Sequence, residues 1–161
     1  MKVSVVKQPL PDVTADAVVV GLHADERKFS PAVAAVDGKL GGQPSMGKWT
    51  LPGGMVELGE TTADAVRREL REECNIDIRP VGIAGVIDRV VRDADGRIRY
   101  HYVLVDYLAY ADTDAIEAAS DAAEARWVDI DRVEELPITD GLTDMIKRAV
   151  ALASTSEGAE R

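Results

Sequence analysis

Three carboxylates, Glu69, Glu72 and Glu73, crowd into the run LPGGMVELGETTADAVRRELREECNIDI, Leu51 to Ile78. At helical spacing, positions three and four apart are neighbours, so the acids share one face. Each like-charge pair on an isolated helix costs roughly 0.2–0.5 kcal/mol. The acids also lie toward the C-terminal half, where the helix dipole opposes negative charge. Arg68 is spaced to pair with Asp64 and Glu72 and so relieve part of the cost. A hard divalent cation held by oxygen ligands removes the repulsion altogether. The preceding loop, PGGMVELGE, contains Pro52, Gly53, Gly54 and Gly59, residues suited to special backbone geometry. Such a loop can bring backbone carbonyls beside the carboxylates, and carbonyl plus carboxylate is a hard-cation ligand set. A solvated, salt-bridged helix face accounts for the acids alone, but it leaves the glycines unexplained.

The helix that positions these acids has Thr61 or Thr62 as its N-cap, with Asp64 spaced to complete a capping box from Thr61. Ala63, Val66, Leu70 and Cys74 fall on one apolar stripe that faces the core. Upstream, Val13 to Leu22 reads as a buried Val-rich strand, ended by a polar turn, with Pro31 to Val36 as its partner. Pro9 to Pro11 suggests an extended lead-in, and Asp37 to Gly47 reads as loop from its Gly and Pro content. KWTLP is a short strand that stops at Pro52. Downstream, Val81 to Val91 and Arg99 to Tyr110 read as strands joined by an Asp-Gly turn into a hairpin. The acidic, Ala-rich stretch Ala111 to Ala125 reads as a mobile loop, and RWVDI as a last strand. From Thr139, behind a Thr/Asp cap, Leu142, Met145, Ile146 and Ala149 recur at helical spacing. The pattern predicts one mixed α/β domain over residues 1–153, with 154–161 a frayed, flexible tail.

The run Gly54, Glu60, Arg68-Glu69-Leu70-Arg71-Glu72-Glu73, Cys74, Asn75, Ile76 resembles the Nudix box of the Nudix hydrolases. The motif is long and its spacing fixed, and it covers about one seventh of the chain. The flanking strands and terminal helix are more loosely similar to the α/β/α sandwich of that family, with its mixed central β-sheet. One position departs from the pattern: Asn75 stands where the family usually has Gly. That position ends the helix, where a left-handed residue is wanted, and Asn is the next most tolerant type.

The resemblance implies hydrolysis of a nucleoside diphosphate linked to another group. Carried over by position, Glu69, Glu72 and Glu73 would bind Mg²⁺ or Mn²⁺, and the Gly53 carbonyl would be a further ligand. Arg68 would orient Glu69, and Glu60 would brace the loop. A general base often comes from a distal loop in this family, which makes Glu124, and behind it Asp121, the candidates. GKWTLPGGMVELGET and HYVLVDYLA look like the ADP-ribose pyrophosphatase-like branch. A nucleoside triphosphate of the 8-oxo-dGTP type is the alternative substrate, and a non-catalytic nucleotide-sensing module the alternative function. Family analogy also leaves a homodimer open.

Composition narrows the partners. The formal net charge is −10, which opposes non-specific binding to nucleic acid and docking on an anionic membrane. No run has the unbroken apolar length to span a bilayer. Cys74 is the sole cysteine, so no intrachain disulfide forms, in keeping with a cytoplasmic setting. Cys74 itself falls on the apolar stripe and reads as buried and inert. Trp49 and Tyr102 read as packing residues rather than base-stacking ones, and His101 as a structural histidine.

Overall fold

The computed structural model describes residues 15–23, 28–35, 48–111, 113, 115–119 and 122–158. Expectations for Pro9 to Pro11, for Asp37 to Gly47 and for Asp121 lie outside them. Strands β1 (Ala15–His23), β2 (Lys28–Ala35), β3 (Trp49–Thr50) and β4 (Gly53–Met55) precede helix α1 (Thr62–Cys74). Strands β5 (Ile78–Arg92), β6 (Ile98–Ala111) and β7 (Ala122–Asp129) follow, then a 3-10 helix (Ile130–Glu135) and helix α2 (Leu142–Gly158).

The strands form one mixed sheet in the order β3-β2-β1-β6-β5, with β4 paired to β1 and β7 to β2. β1 and β6 run parallel, while the other pairs are antiparallel. The expected partnership of β1 with the PAVAAV strand reduces to one register pair, Leu22 with Phe29. β2 aligns instead with β7, and β1 is taken along its whole length by β6. A parallel partner distant in sequence leaves no local signal of the pairing.

Alternation along β6 sends successive side chains to opposite faces. Tyr107, Ala109 and Ala111 join Ala65, Val66, Leu70, Cys74 and Ile76 in the core under α1. Leu108 joins Leu142, Met145, Ile146 and Ala149 in the core under α2. Two helices thus cover two faces of one sheet, an α/β/α sandwich. The helical stripe read from the sequence is the buried one: Val66, Leu70 and Cys74 are each 0% exposed, with Ala65 beside them and Ala63 packed at the margin.

The hairpin of β5 and β6 is longer than the apolar pattern indicated, and its turn is built by Asp93. The Asp93 carboxylate accepts from the Asp95 and Arg97 N–H groups at 3.0 and 2.9 Å, and Gly96 takes φ +80°. Helix α2 begins at Leu142, just past the expected Thr/Asp cap at Thr139 and Asp140. Thr139 is also tied to the sheet: its N–H donates to the Trp49 carbonyl at 2.9 Å. The helix also continues to Gly158, through the first residues of the expected tail. There the hydroxyls of Ser154 and Thr155 donate back to the carbonyls of Val150 and Leu152 at 3.0 and 2.8 Å, which gives both hydroxyls a partner inside the helix. No helix among the described residues is long and apolar enough to cross a membrane.

Candidate active site on helix α1

The site begins with how α1 is started and stopped. Thr61 is the N-cap, and its hydroxyl oxygen accepts from the Asp64 N–H at 3.2 Å. The same hydroxyl donates to the Asp64 carboxylate at 2.6 Å, which holds that carboxyl below its usual range. At the other end Asn75 adopts φ 54°, ψ 36°, and its N–H reaches the Arg71 and Leu70 carbonyls. Asn75 is the one non-glycine residue with positive φ among the described residues, so the left-handed stop survives the loss of glycine as the sequence indicated.

Between these caps, Arg68 organises the acids. Its Nε and one terminal nitrogen grip both oxygens of Glu60, at 3.3 and 2.7 Å. That nitrogen also reaches the Met55 carbonyl at 3.0 Å. The other terminal nitrogen is shared by Glu69 at 2.8 Å and Glu72 at 3.3 Å. The two-pronged grip on Glu60 is the strong form of such a pair. It raises the Arg68 pKa further, burial opposing only in part. Glu60 in turn accepts from the Glu57 N–H at 2.6 Å. The bonds from Arg68 and then Glu57 draw its pKa down. The predicted Arg68–Asp64 pair does not form. Arg67 takes Asp64 at 2.8 Å, because Arg68 turns inward toward the loop.

The glycine loop lies directly against the helix. Gly53, at φ +152°, donates its N–H to a Glu73 oxygen at 3.1 Å. A Cβ on Gly54 would stand 2.4 Å from the nearer Glu69 oxygen, so any other residue there would push that carboxylate from its place. Glu69 is mostly shielded, at 13% side-chain exposure, whereas Glu72 is half exposed at 53%. Among the described residues, no three His, Cys, Asp or Glu side chains converge on one point. Glu69 and Glu72 are shared by Arg68, while Glu73 turns to Gly53. Beside Glu72, Arg67, Arg68 and Arg71 line an open cleft of about 520 Å³ with Asp64, Asp77 and Ile78.

Residues 13–149 match the NUDIX domain family. The chain belongs to that family. Over 99 residues it is 31% identical to an uncharacterised Nudix hydrolase of Bacillus subtilis, YvcI, a match covering 62% of this chain and 62% of that protein. It is 32% identical over 93 residues to an ADP-ribose pyrophosphatase of Methanocaldococcus jannaschii, covering 58% of this chain and 53% of that one. The match thus spans less than two thirds of each relative's length. In fold, the chain superposes on the NUDIX domain of Shewanella oneidensis NrtR complexed with ADP ribose at a TM-score of 0.66. That match has 21% identity over 87% of this chain and 88% of the other.

The other candidates fall as follows. Glu124 is exposed on β7. Its neighbours Ala125 and Trp127 pack against the α1 core, so strand alternation carries Glu124 to the other face of the sheet. The structure therefore does not gather it with Glu69 and Glu73. Trp49 and Tyr102 are buried, at 8% and 5% exposure. Trp49 lies beneath the Arg126 guanidinium at 4.3 Å. His101 pairs with Asp88 across the hairpin at 2.9 Å. Cys74 is fully buried, and burial, with Glu73 adding to it, pushes its thiol up to about 12.

The sequence reading missed three groups. The Met55 carbonyl is one, a main-chain acceptor that no residue type announces. The segment 115–119 is another. Its composition predicts a mobile loop, yet its main-chain N–H groups are bonded to the end of α1. The third is Asp106, 2% exposed on β6, which an acid inside the apolar run HYVLVDYLAY did signal.

Proposed function

We propose that the chain is a metal-dependent pyrophosphohydrolase acting in the cytoplasm on a nucleoside diphosphate joined to another group, of the ADP-ribose kind. The observation that carries this reading is the seating of Glu69 and Glu73 on the Gly53–Gly54 backbone, possible at Gly54 only without a side chain. The donors there are all hard oxygens, which fits Mg²⁺ or Mn²⁺ and not a soft metal. Glu69, Glu72, Glu73 and the Gly53 carbonyl would hold the cation. When bound, it would neutralise the diphosphate and lower the pKa of an attacking water.

The chain's own residues do the rest. Arg68 fixes Glu69 in place by its bond at 2.8 Å. Glu60 anchors Arg68 from the far side and fastens the loop through the Glu57 N–H. The arginines beside Glu72 supply positive charge near an anionic substrate, which a protein of net charge −10 otherwise repels. The M. jannaschii relative, an ADP-ribose pyrophosphatase, and the ADP-ribose complex of the NrtR domain support the choice of substrate class.

The test is a hydrolysis screen over ADP-ribose, nucleotide sugars, dinucleotides and 8-oxo-dGTP, with Mg²⁺, with Mn²⁺ and with EDTA. Turnover of ADP-ribose-like substrates that EDTA abolishes and Mg²⁺ restores is the expected result. A clear preference for the triphosphate would replace the substrate class. Full activity in chelator would end the metal reading, and nucleotide binding without turnover would leave a sensing module.

A further inference from the structure

The C-terminal turn of α1 is held by a segment that belongs to neither the helix nor the glycine loop. The last four carbonyls of a helix lack partners within it. At α1 the cap at Asn75 reaches the Leu70 and Arg71 carbonyls. The Glu73 and Cys74 carbonyls are taken by residues that follow β6: the Ala119 N–H donates to Glu73 at 2.9 Å and the Glu117 N–H to Cys74 at 3.2 Å. Ile116 lies between β6 and these donors, and it packs against the core formed by Ala65, Val66, Leu70 and Cys74.

Glu73 is thereby fixed from two sides. Its carboxylate accepts from Gly53, ahead of the helix, and its carbonyl accepts from Ala119, far beyond it. Glu69, Glu72 and Glu73 repel one another on this stretch, and that repulsion acts to loosen the terminal turn. Two main-chain bonds and one partly buried side chain oppose it.

We propose that residues 115–119 clamp the terminal turn of α1, with Ile116 as a positioning residue that sets Glu73 for a hard divalent cation. The inference rests on the metal reading above and adds a residue that touches neither cation nor substrate. Removing the Ile116 side chain frees the clamp, and the Glu73 carboxylate then pays its ordering on each binding event. The effect falls on metal affinity and leaves turnover at saturating metal intact.

The probe is Mn²⁺ alone, followed by electron paramagnetic resonance of the free ion, with Tm and the metal dependence of turnover measured beside it. Wild type, Ile116→Ala, Ile116→Leu, Ala119→Pro and Glu73→Gln are compared. Ala119→Pro deletes the N–H that meets Glu73 and keeps Ile116 in place. Ile116→Ala and Ala119→Pro should each raise the Mn²⁺ Kd about tenfold, the low end for partners that orient metal ligands. Ile116→Leu should bind as wild type does. If Ile116→Ala does not fold, Ala119→Pro decides. Wild-type Mn²⁺ affinity in a folded Ile116→Ala or Ala119→Pro, with only Tm lowered, overturns the clamp and leaves the metal reading standing. A wild-type protein that binds no Mn²⁺ overturns both.

Discussion

The two faces of the sheet treat charge in opposite ways. On the α1 face, Glu60, Glu69 and Glu72 all answer to one guanidinium, and Arg68 and Glu69 keep partial contact with water. On the α2 face, Asp106 is sealed at 2% exposure. One of its oxygens has no hydrogen-bond partner among the described residues. Burial pushes its pKa up to about 7, Arg148 pulling the other way. The same residue class therefore plays two parts. At the rim an arginine and main-chain N–H groups face the acids, and the bonds from Arg68 and Glu57 draw the Glu60 pKa down. The acid in the sealed layer lowers its cost by keeping a proton. If the contrast is sound, substitutions on the α1 face change chemistry more than stability, and those on the α2 face do the reverse.

The sharpest break of that contrast is Glu73→Gln. The amide oxygen can still accept from Gly53, so the fold keeps its contact. Deleting the charge also removes a repulsion of roughly 0.2–0.5 kcal/mol, so Tm without metal should hold or rise slightly. Loss of metal placement removes several kcal/mol of transition-state stabilisation, and at 1.36 kcal/mol per decade kcat/KM should fall about a thousandfold. Asp64→Asn is the control. It sits at the cap with Thr61 and Arg67, so it should cost some Tm and almost no turnover. Near-normal turnover in Glu73→Gln, or loss only through unfolding, would erase the distinction between the faces.

Asp106→Asn tests the other face. An acid whose folded pKa is raised binds its proton more tightly in the native state. Its contribution is therefore fully present below the unfolded value near 3.8 and is lost as pH rises through about 7. From this group alone, wild-type stability should fall by an amount on the order of a few kcal/mol between pH 4 and pH 8. Asparagine carries no proton to lose, so the mutant should lack that fall and gain on wild type at the alkaline end. Denaturant melts at several pH values measure this, and kcat/KM should stay close to wild type. Parallel pH curves for the two proteins would show that Asp106 is ionised and satisfied. A large loss of turnover at unchanged stability would place it in the chemistry.

What was legible in advance follows a physical division. The α1 stripe, the acids and the left-handed stop were readable because helical periodicity and cap chemistry are local. The Asp-Gly hairpin turn was readable for the same reason. The parallel pairing of β1 with β6 was not, since its partners are some ninety residues apart and share no turn. Of the two helical neighbours spaced to meet Arg68, Glu72 pairs with it at 3.3 Å and Asp64 does not, because the glycine loop brings Glu60 and the Met55 carbonyl closer. Segment 115–119 looked mobile because its acidic, Ala-rich composition carries no pattern. What orders it is its main-chain N–H groups meeting carbonyls that the helix leaves open, and main-chain groups are invisible to residue type. Glu124 falls on the face opposite Ala125 and Trp127 because one step along β7 separates the two faces of the sheet.

The smallest expected effect lies at Asn75, where the α1 face could still prove to depend on helix integrity rather than on charge. Its φ of 54° lies in the left-handed region, which costs an ordinary L-residue about 1–2 kcal/mol and asparagine less. Glycine removes that strain but loses more freedom on folding, a cost of roughly 0.5–1 kcal/mol, so the terms nearly cancel. Asn75→Gly should raise stability by only a few tenths of a kcal/mol, at the limit of a thermal melt. Asn75→Ala has the strain without the tolerance and should lose about 1 kcal/mol, or about 2–4 °C of Tm for a chain of this size. The Asn75 N–H donates to Arg71 and Leu70 in any of the three residues, so the turn that carries Glu72 and Glu73 should keep its shape. Turnover and Mn²⁺ affinity should accordingly be the same in wild type and both variants. If Asn75→Ala lost metal affinity in step with its Tm, the acids would be held by the overall stability of α1, and the distinct roles given to Arg68, Gly54 and the 115–119 clamp would not be needed.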